Sequence, residues 1–220
     1  MNRRILSTAA AALTVFAAPG ARALEITYDF AGDVTSVSAS LPSLAGATGF
    51  AGSYTFESTV APTGGSDSDF AVFDAVTAFE VSLIGASWAA SRGPGPALPE
   101  IQVDDAPSAP NDRYGVLARA SEGLVGPDAD GQSLVFSSFR LDDSTNAVFA
   151  DALILPLAID LADFDSSAFF LGFSLDGTVS GELTSLRARP PSAVPLPAAL
   201  PLLAMGIGAF GVLRRRRAAG

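Results

Sequence analysis

The sequence predicts an all-β protein, an antiparallel β-sandwich or jelly-roll-like domain, on three observations. Apolar residues recur at every second position in stretch after stretch, the period of a half-buried strand. Gly- and Pro-rich turns separate those stretches. Between residues 24 and 193 no window longer than about ten residues keeps a 3.6-residue period. Ala147 to Leu161 comes nearest to a helix, and Pro156 interrupts it. About eight to ten short strands in two sheets would use this length of chain.

The strands follow in order. Ile26, Tyr28 and Phe30 alternate with Thr27 and Asp29. Phe50, Gly52, Tyr54 and Phe56 form a second set, and Phe79, Val81 and Leu83 a third. Tyr114, Val116 and Ala118 form another, and Phe139 and Leu141 close the stretch from Gln132. Phe169 to Phe173 is a dense apolar run, the pattern of a strand covered on both faces. Val179, Gly181 and Leu183 make the last strand. Asp176-Gly177 lies between these two runs and suits a type I′ turn, so residues 168–175 and 178–186 are expected to pair as a hairpin. Turns are expected at 63–67, 93–96, 107–112 and 126–131, all rich in Gly, Pro or Asp. No repeat of solenoid period is present.

Both ends of the chain read differently from its middle. Arg3 and Arg4 precede the 14 uncharged residues from Ile5 to Ala18, and Ala21-Arg22-Ala23 offers a small-x-small cleavage site. That is a secretory signal peptide helix over 1–23, removed by signal peptidase to leave Leu24 at the new N-terminus. A retained signal anchor is the alternative, although the apolar stretch is short for a span. At the other end, 18 residues from Leu196 to Leu213 carry no charge. As a helix they reach roughly 27 Å, close to the ~30 Å of a bilayer core. Pro197 and Pro201 fall in the first turns, where a missing N–H costs least. Arg214, Arg215, Arg216 and Arg217 follow and would remain on the cytoplasmic side. Everything before Val194 is then outside the cytoplasm. A buried core helix is the competing reading, and four terminal arginines argue against it.

The order of pentapeptide, apolar helix and arginine cluster resembles a PEP-CTERM sorting signal. Val194, Pro195, Leu196, Pro197 and Ala198 resemble the VPLPA subclass of that signal, with Leu196 where the commonest version has Glu. The resemblance covers only the tail from Val194 to Gly220. It implies recognition and cleavage by an exosortase, a membrane-embedded enzyme with a transpeptidase-like cysteine. It also implies a Gram-negative, exopolysaccharide-producing host, an inner-membrane-anchored precursor, and delivery to the cell surface or extracellular matrix. The expected organisation is a signal peptide (1–23), a sandwich domain (24–186), a linker (187–193) and a sorting signal (194–220) with one transmembrane helix (196–213).

Composition excludes several functions. All 23 acidic residues lie in the middle region, together with only six of the 13 arginines, for a formal charge of −17 there. The chain has no lysine. Such a domain repels nucleic acid and anionic membrane surfaces. Cysteine and histidine are absent, which removes disulfides, Ser-His-Asp and Cys-His catalysis, and the usual zinc and copper sites. No enzymatic activity and no resident cofactor are expected.

Two acidic turns are candidates for calcium. Asp128 and Asp130 stand on either side of Ala129 ahead of Gly131, so alternate carboxylates could converge on a hard cation. The third ligand and the distant Glu of a calcium loop are missing. Ser66-Asp67-Ser68-Asp69 is a weaker version of the same pattern. Asp104-Asp105 and Asp142-Asp143 are adjacent pairs, and neighbours on a strand point to opposite faces, so neither pair meets one substrate by itself. Trp88, the one tryptophan, is expected in the core. The leading expectation is an exosortase-sorted surface or matrix protein with a structural or adhesive role. The alternatives are a carbohydrate-binding module with exopolysaccharide as its partner, and an uncleaved tail-anchored envelope protein.

Overall fold

The computed structural model describes residues 24–64, 66–95, 97–105 and 112–190. These form eleven strands: β1 (Glu25–Val37), β2 (Gly49–Glu57), β3 (Phe70–Phe73), β4 (Val76–Ile84), β5 (Trp88–Arg92), β6 (Glu100–Asp104), β7 (Asp112–Arg119), β8 (Leu124–Val125), β9 (Leu134–Asp143), β10 (Ser166–Phe173) and β11 (Thr178–Ala188). The only helices among the described residues are short 3₁₀ turns, so none is long and apolar enough to cross a membrane. The expected signal helix and the expected transmembrane helix lie outside the described residues.

All strand pairings are antiparallel and run as one ladder, in the order β3-β6-β7-β9-β10-β11-β1-β2-β4-β5-β8. The sheet curls back on itself. Four strands lie between β2, which carries Tyr54, and β7, which carries Tyr114, yet the two hydroxyls meet at 3.1 Å. Phe50 on β2 stacks on Phe169 of β10 with ring centroids 3.8 Å apart. Trp88 on β5 meets Phe173 of β10 edge-on at 5.6 Å. The physical cause is the alternation itself. Each strand sends its aromatic and branched residues to one face, and that face reaches dryness only by closing on itself. Burial pushes the Tyr54 and Tyr114 hydroxyls well above the usual phenol range, so both stay neutral.

The seven strands named from the sequence all form, but with β3, β5, β6 and β8 they make one curled ladder of eleven and not the expected two sheets of eight to ten strands. Three differences of detail follow. The run Phe169–Phe173 is covered on one face only: Phe169, Leu171 and Phe173 point inward, while Phe170 stays 38% exposed. The 10–11 hairpin exists, with Gly172 opposite Thr178, but its turn sits one residue earlier than expected. Leu175 and Asp176 take the left-handed conformation at φ 59° and 61°, and Gly177 is extended. A Cβ at Gly177 would meet the side-chain amide of Gln132, which would have to shift to admit it. Leu175 is 80% exposed and carries a backbone conformation that leucine disfavours. Leu175→Asn is therefore expected to stabilise the fold by about 0.5–1 kcal/mol, read as a higher urea midpoint at unchanged slope. Finally, Arg187 and Ala188, expected in the linker, belong to β11.

A long connection, residues 144–165, closes one end of the interior. It has almost no regular structure beyond a 3₁₀ turn at Leu161–Asp163. It buries Ala152, Leu155 and Ile159 against the core. Tyr28 anchors it from below. The Tyr28 hydroxyl accepts from Ile159 N at 2.8 Å and donates to Leu157 O at 3.3 Å.

Candidate functional site

Most of the sequence-predicted site residues lie outside the described part of the chain. This holds for Ala21 and Ala23, for Val194, Pro195, Leu196, Pro197 and Ala198, and for Arg214 to Arg217. The described fold bears on them only through its limits. β1 starts at Glu25, and β11 ends at Ala188 on the adjacent ladder position. Arg189 N donates to Thr27 O at 2.7 Å, and the Arg189 guanidinium pairs with Asp29. The first and last strands of the described residues are therefore neighbours.

The Asp128–Asp130 turn has a structural occupation. Ala129 and Gln132 exchange both backbone hydrogen bonds at 2.9 Å, with Asp130 and Gly131 at positive φ between them. Asp130 Oδ2 accepts from Ser43 N at 3.0 Å and Ser43 Oγ at 2.7 Å, which ties the turn to the 3₁₀ turn at Pro42–Leu44. Asp128 is exposed beside it. Trp88 is 4% exposed and donates its indole N–H to Pro127 O at 3.0 Å, so it is a core residue and offers no platform.

The adjacent Asp pairs split across the sheet as alternation requires. Asp104 and Asp142 lie on the outer face, where Arg113 bridges them at 3.3 and 2.9 Å. Arg140 adds a second bond to Asp142 at 2.8 Å. Burial raises the Asp104 carboxyl, and the Arg113 charge offsets part of that rise. Nearby, Arg119 joins Glu100 and Glu122 at 2.8 and 2.7 Å, which holds its guanidinium firmly protonated. Arg113 and Arg140 edge a shallow groove of about 200 Å³ over Gly115 and Ser138, together with Gln102 and Phe170.

Asp105 and Asp143 face the other way, into a row of aspartates at the loop-covered end. Asp104 is opposite Arg113, so Asp105 stands across from Asp112. Asp112 is opposite Asp143. Asp105 N donates to Asp69 O, and Asp165 N to Asp142 O, both at 3.0 Å. One aspartate at the end of each of five neighbouring strands thus reaches the same level, one step beyond the buried row of Ala71, Val103, Tyr114 and Leu141. Asp151 joins them from the loop.

Half of this row serves the 144–165 connection. Asp143 accepts from Thr145 N at 3.0 Å, from Thr145 Oγ1 at 2.8 Å and from Ala147 N at 3.0 Å. Asp165 accepts from Ser144 N and Ser144 Oγ. Asp112 Oδ2 accepts from Val148 N and Phe149 N, both at 2.9 Å. Backbone donors from Ala147 and Thr145 hold the Asp143 carboxyl below the usual range, and Ser144 does the same for Asp165. A carboxylate whose folded pKa is depressed contributes stability above its unfolded pKa, and loses it as pH falls through the folded value. The loop is thus expected to loosen below about pH 4. The check is hydrogen exchange at the Thr145 and Ala147 amides, corrected for intrinsic rate. Protection retained at pH 6 and lost on acidification is the expected result.

Asp105 stands among like charges. Burial, then Asp112, Asp151 and Asp69, push the Asp105 carboxyl up. Asp112 is fully buried, and its Oδ1 has no hydrogen-bond partner. The sequence contained a clue to this arrangement: Asp105 and Asp112 bracket a Pro-rich turn between two alternating strands. Asp151 carried no such signal, because nothing local places residue 151 near Asp105. No family model, no curated protein and no solved structure matches this chain.

Proposed function

We propose that this chain is an exported surface or extracellular-matrix protein, sorted and cleaved by an exosortase-type enzyme, with a structural or adhesive and non-catalytic role. The observation that carries the reading is the tail: Val194–Ala198, the uncharged stretch to Leu213, and Arg214–Arg217. The limits of the fold support it. The ladder begins two residues after Ala23 and ends before Val194, so removing either signal would cost the sheet no strand. On this reading the curled sheet is a sandwich-like module, presented beyond the membrane by the residues after β11. The test is the intact mass and C-terminal peptide of the protein isolated from its native host. A chain ending near Val194–Ala198 is expected. A chain still carrying Arg214–Arg217 would leave a tail-anchored envelope protein and overturn the sorting reading.

The groove edged by Phe170, Gln102, Arg113 and Arg140 favours a second reading, in which the domain holds exopolysaccharide. An exposed ring beside hydrogen-bonding side chains is what a sugar face needs. Retention in affinity gels containing the host polysaccharide, reduced in Phe170→Ala, is the expected outcome. Unretarded migration of the unaltered protein rejects this reading.

A further inference from the structure

We propose that, in the membrane-anchored precursor, the 144–165 connection rests on a lipid surface of zwitterionic headgroups, with Leu153, Ile154 and Leu157 in the interfacial layer. The inference rests on the reading of 196–213 as a membrane span. Within the connection, Ala152, Leu155 and Ile159 are buried and complete the core. Leu153, Ile154 and Leu157 alternate with them in the chain and are 39%, 66% and 49% exposed. Residues 152–159 carry no charge, in a domain that is otherwise strongly acidic. An exposed apolar group with a polar rim marks a surface that meets a partner or a membrane.

The path of the chain says which. The connection runs from the end of β9 to the start of β10. β1 starts and β11 finishes at that same end of the sheet. Tyr28, near the start of β1, pairs with Ala188, the last residue of β11, and its hydroxyl holds Leu157 O and Ile159 N. Leu24, itself 55% exposed, precedes β1 there. The described chain therefore enters and leaves beside the apolar loop. From Arg189 to Leu196, where the uncharged stretch begins, there are seven residues, a reach of at most about 25 Å. With 196–213 in a bilayer, so short a tether keeps the loop at a high effective concentration of lipid surface, and weak apolar contacts suffice to hold it there.

The acidic groups at this end select the headgroup. Asp160, Asp163 and Asp165 follow the apolar run and are all exposed. Anionic lipid repels them, and salt screens that repulsion. A zwitterionic surface accepts the three apolar side chains without it.

The chain has no cysteine, so Ile154→Cys places an environment-sensitive fluorophore at one position only. The labelled full-length chain is reconstituted into phosphatidylcholine–phosphatidylethanolamine vesicles, and flotation reports insertion. Leu175→Cys, at the turn joining the far ends of β10 and β11, carries the comparison label. Emission at 154 should shift to the blue and be quenched by nitroxide-bearing lipid. A shallow nitroxide should quench more than a deep one, because interfacial apolar elements sit roughly 5–10 Å into the boundary. The label at 175 should keep its aqueous spectrum. Adding Leu157→Glu, a change at an exposed position, should return the label at 154 to the aqueous spectrum. Phosphatidylglycerol in the vesicles should weaken the quenching at 154. A floating chain with an aqueous spectrum at 154 overturns the proposal and leaves the span reading standing. Equal quenching at 154 and 175, quenching that survives Leu157→Glu, or stronger quenching on phosphatidylglycerol does the same. A blue-shifted label that lipid nitroxides do not quench overturns it in favour of a protein cover. A chain that does not float removes the span reading, and the proposal with it.

Discussion

Phe30→Ala should destabilise the fold by about 4 kcal/mol and lower its thermal midpoint by roughly 8–16 °C. Phe30 is 2% exposed and touches four other rings: Phe50, Tyr54, Phe79 and Phe139. Phe139, on β9, approaches to 5.3 Å from across the interior. The alanine variant loses the transfer energy of the ring and leaves a cavity that stiff strands on both sides cannot collapse. Equilibrium urea unfolding followed by circular dichroism measures it. A loss below about 1 kcal/mol would mean that the two halves of the sheet do not pack on this residue.

Gly32→Ala should cost about 3 kcal/mol, although it adds only a methyl group. Gly32 sits where β1 and β11 slip register, between the pairs Ala31↔Ser185 and Gly32↔Leu183. A Cβ there would fall inside the contact distance of the Glu182 carbonyl oxygen and of the Phe50 ring tip. The first obstacle is backbone and cannot rotate away. The second is a ring held against Phe169. The bulge must therefore straighten or the ring stack must open, and either disturbs the ladder joining the first and last strands. A variant with an unchanged midpoint would show that the bulge adapts.

These two sites also mark how far the sequence could be read. Phe30 was legible, because Ile26, Tyr28 and Phe30 alternate with polar residues and a period of two names the buried face directly. The same rule correctly sent Asp104 and Asp105 to opposite faces. Gly32 was not legible, since a bulge depends on what lies across the strand. Asp176-Gly177 shows the same boundary. The pair announced a hairpin, and the hairpin formed, but the left-handed residues are Leu175 and Asp176. Gln132 occupies the space that any side chain at 177 would need. Phe170 was read as covered because its run is apolar throughout, yet the face it occupies has no second layer over it.

The candidate site divides in the same way. Asp128 and Asp130 formed the better local pattern, and Asp130 proved to be bonded to Ser43. Ser66–Asp69 looked weaker, and Asp69 lies beside Asp105 at the end of the sheet. Local spacing shows neither neighbour, because what meets a carboxylate from a distant segment is a property of register.

By itself the sequence determined the all-β class, the buried face of the alternating strands it named, and the absence of cysteine and histidine chemistry. It also carries the two terminal patterns on which the proposed sorting rests. Those properties reside in periodicity and composition, which act over a few residues at a time. Tertiary structure alone decided that eleven strands share one curled ladder, that β1 and β11 are neighbours, and that five aspartates meet at one level. Such outcomes require strands distant in sequence to choose partners and register, and that choice is made by burying every inward face at once.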